Sequence, residues 1–163
     1  MEPTAAAVLH SQYGRRTAAR TPARQPMVIE GFVVHGDQRG RELGFPTANL
    51  EIDHEVATDG VWSGIVEVGG EVYVAVVSIG RRATFYGCDG IRLLEAHLLD
   101  FAGDLYDRRI IVTLHCRLRP QRRFAHVRIL VKQIHRDLAA TRIWWQQTGS
   151  RQLPGPTGQA LSR

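Results

Sequence analysis

Thr47 and Asn49 offer a hydroxyl and an amide oxygen two residues apart. In a strand, residues i and i+2 share a face, so both oxygens can meet one hard cation such as Mg²⁺. Mg²⁺ takes oxygen ligands, keeps several waters and also binds substrate phosphates. The pair closes the stretch H-G-D-Q-R-G-R-E-L-G-F-P-T-A-N, residues 35–49. Gly36, Gly40 and Gly44 permit close backbone approach and can aim N–H groups at an anion, while Arg39 and Arg41 add charge. Such a set of groups could receive a phosphate, but it matches neither common phosphate-binding string. The Walker string G-x-x-x-x-G-K-[ST] is missing, and no long helix follows, as a dinucleotide fingerprint requires. Glycine spacing alone favours a plain Gly-rich connection. Glu95 is a second candidate, because it interrupts the apolar run Leu93-Leu94-Glu95-Ala96-His97-Leu98-Leu99. A carboxylate within hydrogen-bond reach of a hydroxyl can accept its proton. Spacing alone favours an outward-facing residue of an alternating strand. His97 faces the same side and reads as structural or supporting, as do His35 and His115. Cys88 and Cys116 carry no redox motif and read as free thiols.

The elements that must hold these residues are mostly strands. Extended runs cover residues 27–35, 48–52, 60–68, 71–79, 92–101 and 109–118. Gly69-Gly70 permits the positive φ of a tight hairpin turn between the third and fourth. A turn near residues 102–104 is expected to join the last two. These strands are too closely spaced for helical crossovers, so the sheet should be largely antiparallel. One helix is expected over residues 125–147, with Val127, Leu130, Val131, Ile134, Leu138 and Trp145 on one stripe. Trp144 and Trp145 read as core and interface residues. Strands followed by one helix imply a mainly β fold, a small closed or nearly closed barrel with the helix packed on it.

The 163 residues suit one domain. Two cysteines exclude a disulfide-dense scaffold and a four-cysteine zinc site. No run is long and apolar enough for a membrane span or a secretory signal. The net charge of +5 lies in the tails: four arginines against Glu2 in residues 1–25, and two arginines without an acid in 150–163. Residues 26–149 are balanced, which argues against a nucleic-acid-binding face. The basic run from Arg117 to Arg128 reads as a solvated face. Residues 1–26 read as a disordered basic leader, 27–147 as the folded domain and 148–163 as a disordered tail.

The string Gly44-Phe45-Pro46-Thr47-Ala48-Asn49 is far more specific than its glycines. It resembles the G-F-P-T-A-N signature of the riboflavin kinase family. Gly60-Val61-Trp62-Ser63-Gly64 is similar to that family's G-V-Y-x-G, and Ser78-Ile79-Gly80 to its S/N-I-G. Residues 94–101 resemble its L-E-x-H-L-L-D-F, and Asp104-Leu105-Tyr106 its D-L-Y. Leu118-Arg119-Pro120 with Phe124, then Gln133-Ile134 with Asp137, resemble its end. The resemblance runs in collinear order over residues 28–142. It implies a six-stranded antiparallel, Greek-key-like barrel with a C-terminal helix. It implies phosphorylation of the riboflavin 5′-hydroxyl to FMN with ATP as co-substrate and Mg²⁺ as cofactor. Thr47 and Asn49 would bind Mg²⁺, and Gly36 and Arg41 would lie over the nucleotide phosphates. Leu98, Asp100 and Tyr106 would surround the nucleotide. Glu95 would be the base, and Arg119, Arg122 and Phe124 would contact the flavin.

The sequence departs from the family pattern at three places. Ala83 stands where Pro is usual, Asp107 where Gly is usual, and Ala125-His126 with Arg128 replace a capped, acidic helix start. These motivate two alternatives: a flavin- or FMN-binding protein with little turnover, and a kinase for a flavin analogue. The domain is expected to act in the cytoplasm as a monomer, with riboflavin/FMN and ATP/ADP as partners and neither nucleic acid nor membrane. Many bacterial relatives carry an additional FMN adenylyltransferase module, and kinase activity without FAD synthesis is expected here.

Overall fold

The computed structural model describes residues 26–36, 39–52, 59–81 and 92–152. Ala83, Cys88 and nearly all of the expected leader and tail lie outside the described residues. Six strands form one antiparallel sheet: β1 (Met27–Phe32), β2 (Ala48–Glu51), β3 (Gly60–Val68), β4 (Glu71–Arg81), β5 (Arg92–Leu98) and β6 (Arg109–Arg119). Their spatial order is β1-β6-β3-β4-β5-β2. Beyond the end of β1, the Val34 N–H donates to the Asn49 carbonyl at 2.8 Å and bridges the sheet's two outer strands. The sheet is thereby a nearly closed barrel. Strand alternation sends Leu50, Val77, Ile79, Leu94, Ala96 and Ile110 into a common core. The opposite faces of β2, β3, β4 and β5 carry Asn49, Ser63, Ser78, Glu95 and His97 outward.

The β3–β4 hairpin turns at Gly69 and Gly70, with φ of 60° and 85°. Both central residues of this tight turn need positive φ, which the pair supplies without a Cβ clash. The expected short turn between β5 and β6 is not what joins them. These strands lie three places apart in the sheet, and residues 99–108 cross one end of the barrel. Two left-handed aspartates redirect this crossing, Asp100 and Asp107, each with φ 59°. The Asp107 N–H donates to the Val33 carbonyl at 3.0 Å, and the Val33 N–H to Arg108 at 3.0 Å. Asp107 thus adopts a left-handed conformation that glycine takes without a Cβ penalty.

A one-turn helix, α1 (Arg39–Glu42), occupies what reads as loop in the sequence. The long helix α2 (Val127–Gln152) starts two residues later than expected and runs past residue 147. Its stripe does not form a sealed core. Val127 is exposed, and Leu130, Val131, Ile134, Leu138 and Trp145 are half-buried. The most buried helix side chains are polar, Asp137 and Thr141. Thr141 Oγ1 and Ser63 Oγ lie 2.8 Å apart, fully buried between helix and β3. Trp144 packs on His115 of β6 at 5.2 Å between ring centroids. Among the described residues no helix is long and apolar enough to cross a membrane.

Asp107→Ala should destabilise the fold by about 1 kcal/mol, because alanine has no polar side chain to support left-handed φ. Asp107→Gly should cost less, and denaturant melts compare the two. Burial also holds the His115 imidazole below its ordinary 6.5. The unfolded chain therefore takes up this proton first, and stability falls as pH drops from about 6.5 through the lowered folded value. In His115→Phe, the decline of melting temperature between about pH 7 and 5 should be shallower.

Candidate active site

The site lies on one row of the sheet. Asn49 of β2 stands opposite Glu95 of β5, and Glu95 opposite Ser78 of β4. Ser78 stands opposite Val61 of β3, and Val61 opposite Arg119 of β6. Side chains directly opposite in antiparallel strands point to the same face, so the row presents its groups together. Two clefts meet at the Asn49 end of this row. One, of about 180 Å³, is lined by Gly36, Arg41, Thr47, Asn49, Leu98 and Tyr106, with the crossing 101–105 as its far wall. The other, of about 460 Å³, runs between the barrel's outer face and α2. Its lining includes Thr47, Asn49, Glu95, Arg119, Arg122 and Phe124. Thr47 and Asn49 are the residues common to both linings.

The glycine-rich segment earns its composition by packing on itself. A Cβ at Gly36 would sit 2.2 Å from Asn49 Nδ2. Glycine is therefore required there for the close approach that seats the Asn49 side chain. Gly44, with φ 86°, turns the chain after α1. The Phe45 N–H then donates to the Gly40 carbonyl at 2.7 Å. The result is a compact turn that delivers Pro46 and Thr47 to the end of β2. Asn49 is buried yet borders both clefts.

On the larger cleft, Arg119 is held by Asp137 of α2. Its Nε lies 3.1 and 3.0 Å from the two carboxylate oxygens, and its Nη2 lies 2.8 Å from one. Gln133 donates to the same carboxylate at 2.9 Å. The guanidinium lies over the Phe124 ring, 5.7 Å from its centroid. Both ions are nearly buried, and the bidentate geometry satisfies them where water is scarce. Gln121 donates to Ser78 Oγ at 2.8 Å and to the Ile79 carbonyl at 3.1 Å, pinning the segment before α2 to the row. Leu130, Ile134 and Leu138 of α2 face Val61 and Val76 across the cleft. The helix stripe that reads as core in the sequence is thus an apolar roof, suited to a planar, partly apolar molecule.

The structure brings together Gly36, Arg41, Thr47, Asn49, Leu98 and Tyr106 on one side, and Glu95, Arg119, Arg122 and Phe124 on the other. Asp100 is not brought to either cleft. Its left-handed φ turns it outward after β5, where Arg142 donates two hydrogen bonds of 3.0 and 2.9 Å. Those bonds hold its carboxyl below the usual carboxylate range. It borders a separate groove with Tyr73 and Trp145. Sequence reasoning passed over Phe45, Gln121 and the helix residues Leu130, Ile134 and Leu138 as lining groups. The helix periodicity named the last three but not the surface they face.

The donor set fits Mg²⁺. Among the described residues no cluster of three His, Cys, Asp or Glu side chains could hold a metal. A cation at Thr47 and Asn49 would take neutral oxygens from the protein. Water and phosphate would have to supply the remaining ligands, as Mg²⁺ prefers.

The fold is thus a nearly closed antiparallel barrel with a C-terminal helix and two clefts that share the wall at Thr47 and Asn49. The family model for riboflavin kinase (flavokinase) matches residues 23–145. The chain belongs to the riboflavin kinase family. It is 45% identical over 119 residues to the bifunctional riboflavin kinase/FMN adenylyltransferase of Pseudomonas fluorescens, covering 72% of this chain and 38% of that one. It is 40% identical over 116 residues to the Bacillus subtilis protein of the same name, covering 69% and 37%. The chain therefore spans less than two-fifths of these relatives. The solved riboflavin kinase of Trypanosoma brucei superposes with a TM-score of 0.56 at 28% identity, covering 78% of this chain and 84% of that one.

Gly36→Ala should displace the Asn49 amide and destabilise the protein by about 1–3 kcal/mol. The Asn49 side-chain NH₂ resonances should move while the backbone amide resonances of the β3–β4 hairpin stay. An unmoved Asn49 amide would show that the close approach is not what places it.

Proposed function

We propose that this chain transfers the γ-phosphoryl group of ATP to the ribityl 5′-hydroxyl of riboflavin, giving FMN and ADP. One observation carries the reading: Thr47 and Asn49 form the wall between the two clefts, and Glu95 stands directly opposite Asn49 on the larger one. The nucleotide is assigned to the smaller cleft, with Arg41 and the Gly36 backbone toward its phosphates and Tyr106 beside it. The flavin is assigned to the larger cleft, between the apolar roof of α2 and the Arg119–Phe124 pair. Thr47 and Asn49 would hold Mg²⁺, which when bound neutralises phosphate charge. Glu95 takes the 5′-hydroxyl proton as the oxygen bonds to the γ-phosphorus and the bond to the β–γ bridging oxygen breaks. The rest of the catalytic work is positioning.

Ala83 lies outside the described residues, and the other two departures leave these walls intact. Asp107 adopts a left-handed backbone with φ 59° and lines neither cleft. Arg128 is exposed on the first turn of α2 and lines neither cleft. A binder without turnover would have no use for a hydroxyl–amide pair together with a carboxylate on the neighbouring strand.

The test is FMN formation from riboflavin, ATP and Mg²⁺, followed by chromatography, with Glu95→Gln alongside. The parent should turn over, and the variant should fall by about a hundredfold or more. A folded parent that binds riboflavin and makes no FMN would overturn the proposal.

A further inference from the structure

His97 reaches from β5 to the segment that delivers Thr47. Its Nδ1 lies 2.8 Å from the Pro46 carbonyl oxygen. A carbonyl only accepts, so Nδ1 must carry the hydrogen. The backbone explains why a side chain is used here. The β2–β5 ladder begins at Ala48, opposite Ala96. Pro46 has no N–H with which to extend it. The imidazole takes up the Pro46 carbonyl beyond the ladder's end. The same ring meets Phe45 edge-on, 5.9 Å between centroids at 78°. Phe45 in turn meets His135 of α2 edge-on at 5.2 Å. Thr47 therefore follows two residues that both touch His97. His97 also stands two residues from Glu95 on the same strand face and lines the same cleft. One rigid strand carries the carboxylate and the group that anchors the hydroxyl's segment.

We infer that His97 is a positioning residue, whose Nδ1–H bond to the Pro46 carbonyl sets the Thr47 hydroxyl relative to Glu95. The role in turnover rests on the phosphoryl-transfer reading above, while the hydrogen bond and its effect on Thr47 do not. His97 acts through Pro46 and needs no contact with the reacting atoms.

Three variants separate the bond from the ring. His97→Asn places an amide N–H near the Nδ1 position and discards the ring. His97→Phe keeps the ring against Phe45 and discards the donor. His97→Ala discards both. In Ala and Phe, kcat should fall about 10- to 100-fold and the Mg²⁺ concentration for half-maximal rate should rise, since small misplacements at a reacting centre cost that much. Asn should recover most of both. Rescue by Phe rather than Asn, or full activity in all three, would overturn the inference. Two NMR readouts stand apart from turnover. The ring ¹⁵N shifts of the parent should show the Nδ1–H tautomer, and the Thr47 amide resonance should move in Phe and Ala but hold in Asn. An Nε2–H tautomer, or a Thr47 amide indifferent to all variants, would sink it even in a protein that makes FMN. A parent that makes no FMN yet gives both expected NMR results would sink the functional reading and leave the positioning bond standing.

Discussion

The pairing of β2 with β5 is the constraint on which the site depends. It aligns Asn49 with Glu95 and leaves Thr47 just beyond the ladder's end. A slip of one residue would exchange the faces of β2, sending Asn49 into the barrel and Ala48 and Leu50 out of it. Burial of Ala48 and Leu50 makes that slip costly. The hydrophobic core thus sets the register, and the register sets the chemistry. Closure of the barrel uses the same residue again, because the Asn49 carbonyl accepts from Val34. Asn49 joins the sheet's two outer strands through its backbone and borders both clefts with its side chain.

The two faces of the sheet have divided their tasks. The inner face carries apolar residues and holds the fold. The outer face carries a polar row, over which α2 is suspended by hydrogen bonds and ion pairs rather than by a sealed apolar seam. Ser63–Thr141, Arg119–Asp137 and Asp100–Arg142 hold the helix along its length. Such contacts fix a distance, whereas a greasy stripe left to itself would collapse onto the sheet. The helix can then show Leu130, Ile134 and Leu138 to a cleft and still be held in place.

Much of this was legible in the sequence, for local reasons. Gly69-Gly70 announced its hairpin because few other pairs tolerate two positive φ angles. Alternation and strand spacing gave the antiparallel barrel, and the collinear motifs gave the family. What stayed hidden was long-range. Nothing local states that β5 and β6, adjacent in the chain, lie three strands apart. Helical periodicity marks a face as apolar without saying whether a core or a cleft lies beneath it. Asp100 looked like its neighbours in an apolar strand, but a left-handed turn and Arg142 take it to another groove. Gly36 was readable as a close approach, though its partner is the Asn49 side chain as well as any anion.

The hydroxyl pair beneath α2 has a consequence for how such a chain can change. Ser63 and Thr141 are fully buried and answer each other's hydrogen-bonding demand. Making either one apolar alone strands the other without water, at about 1–3 kcal/mol. Making both apolar together can be nearly neutral. Positions 63 and 141, 78 residues apart in the chain, therefore form a single unit of inheritance. Across descendants of this chain the two should keep their hydroxyls together or lose them together, and lineages caught with only one should be rare.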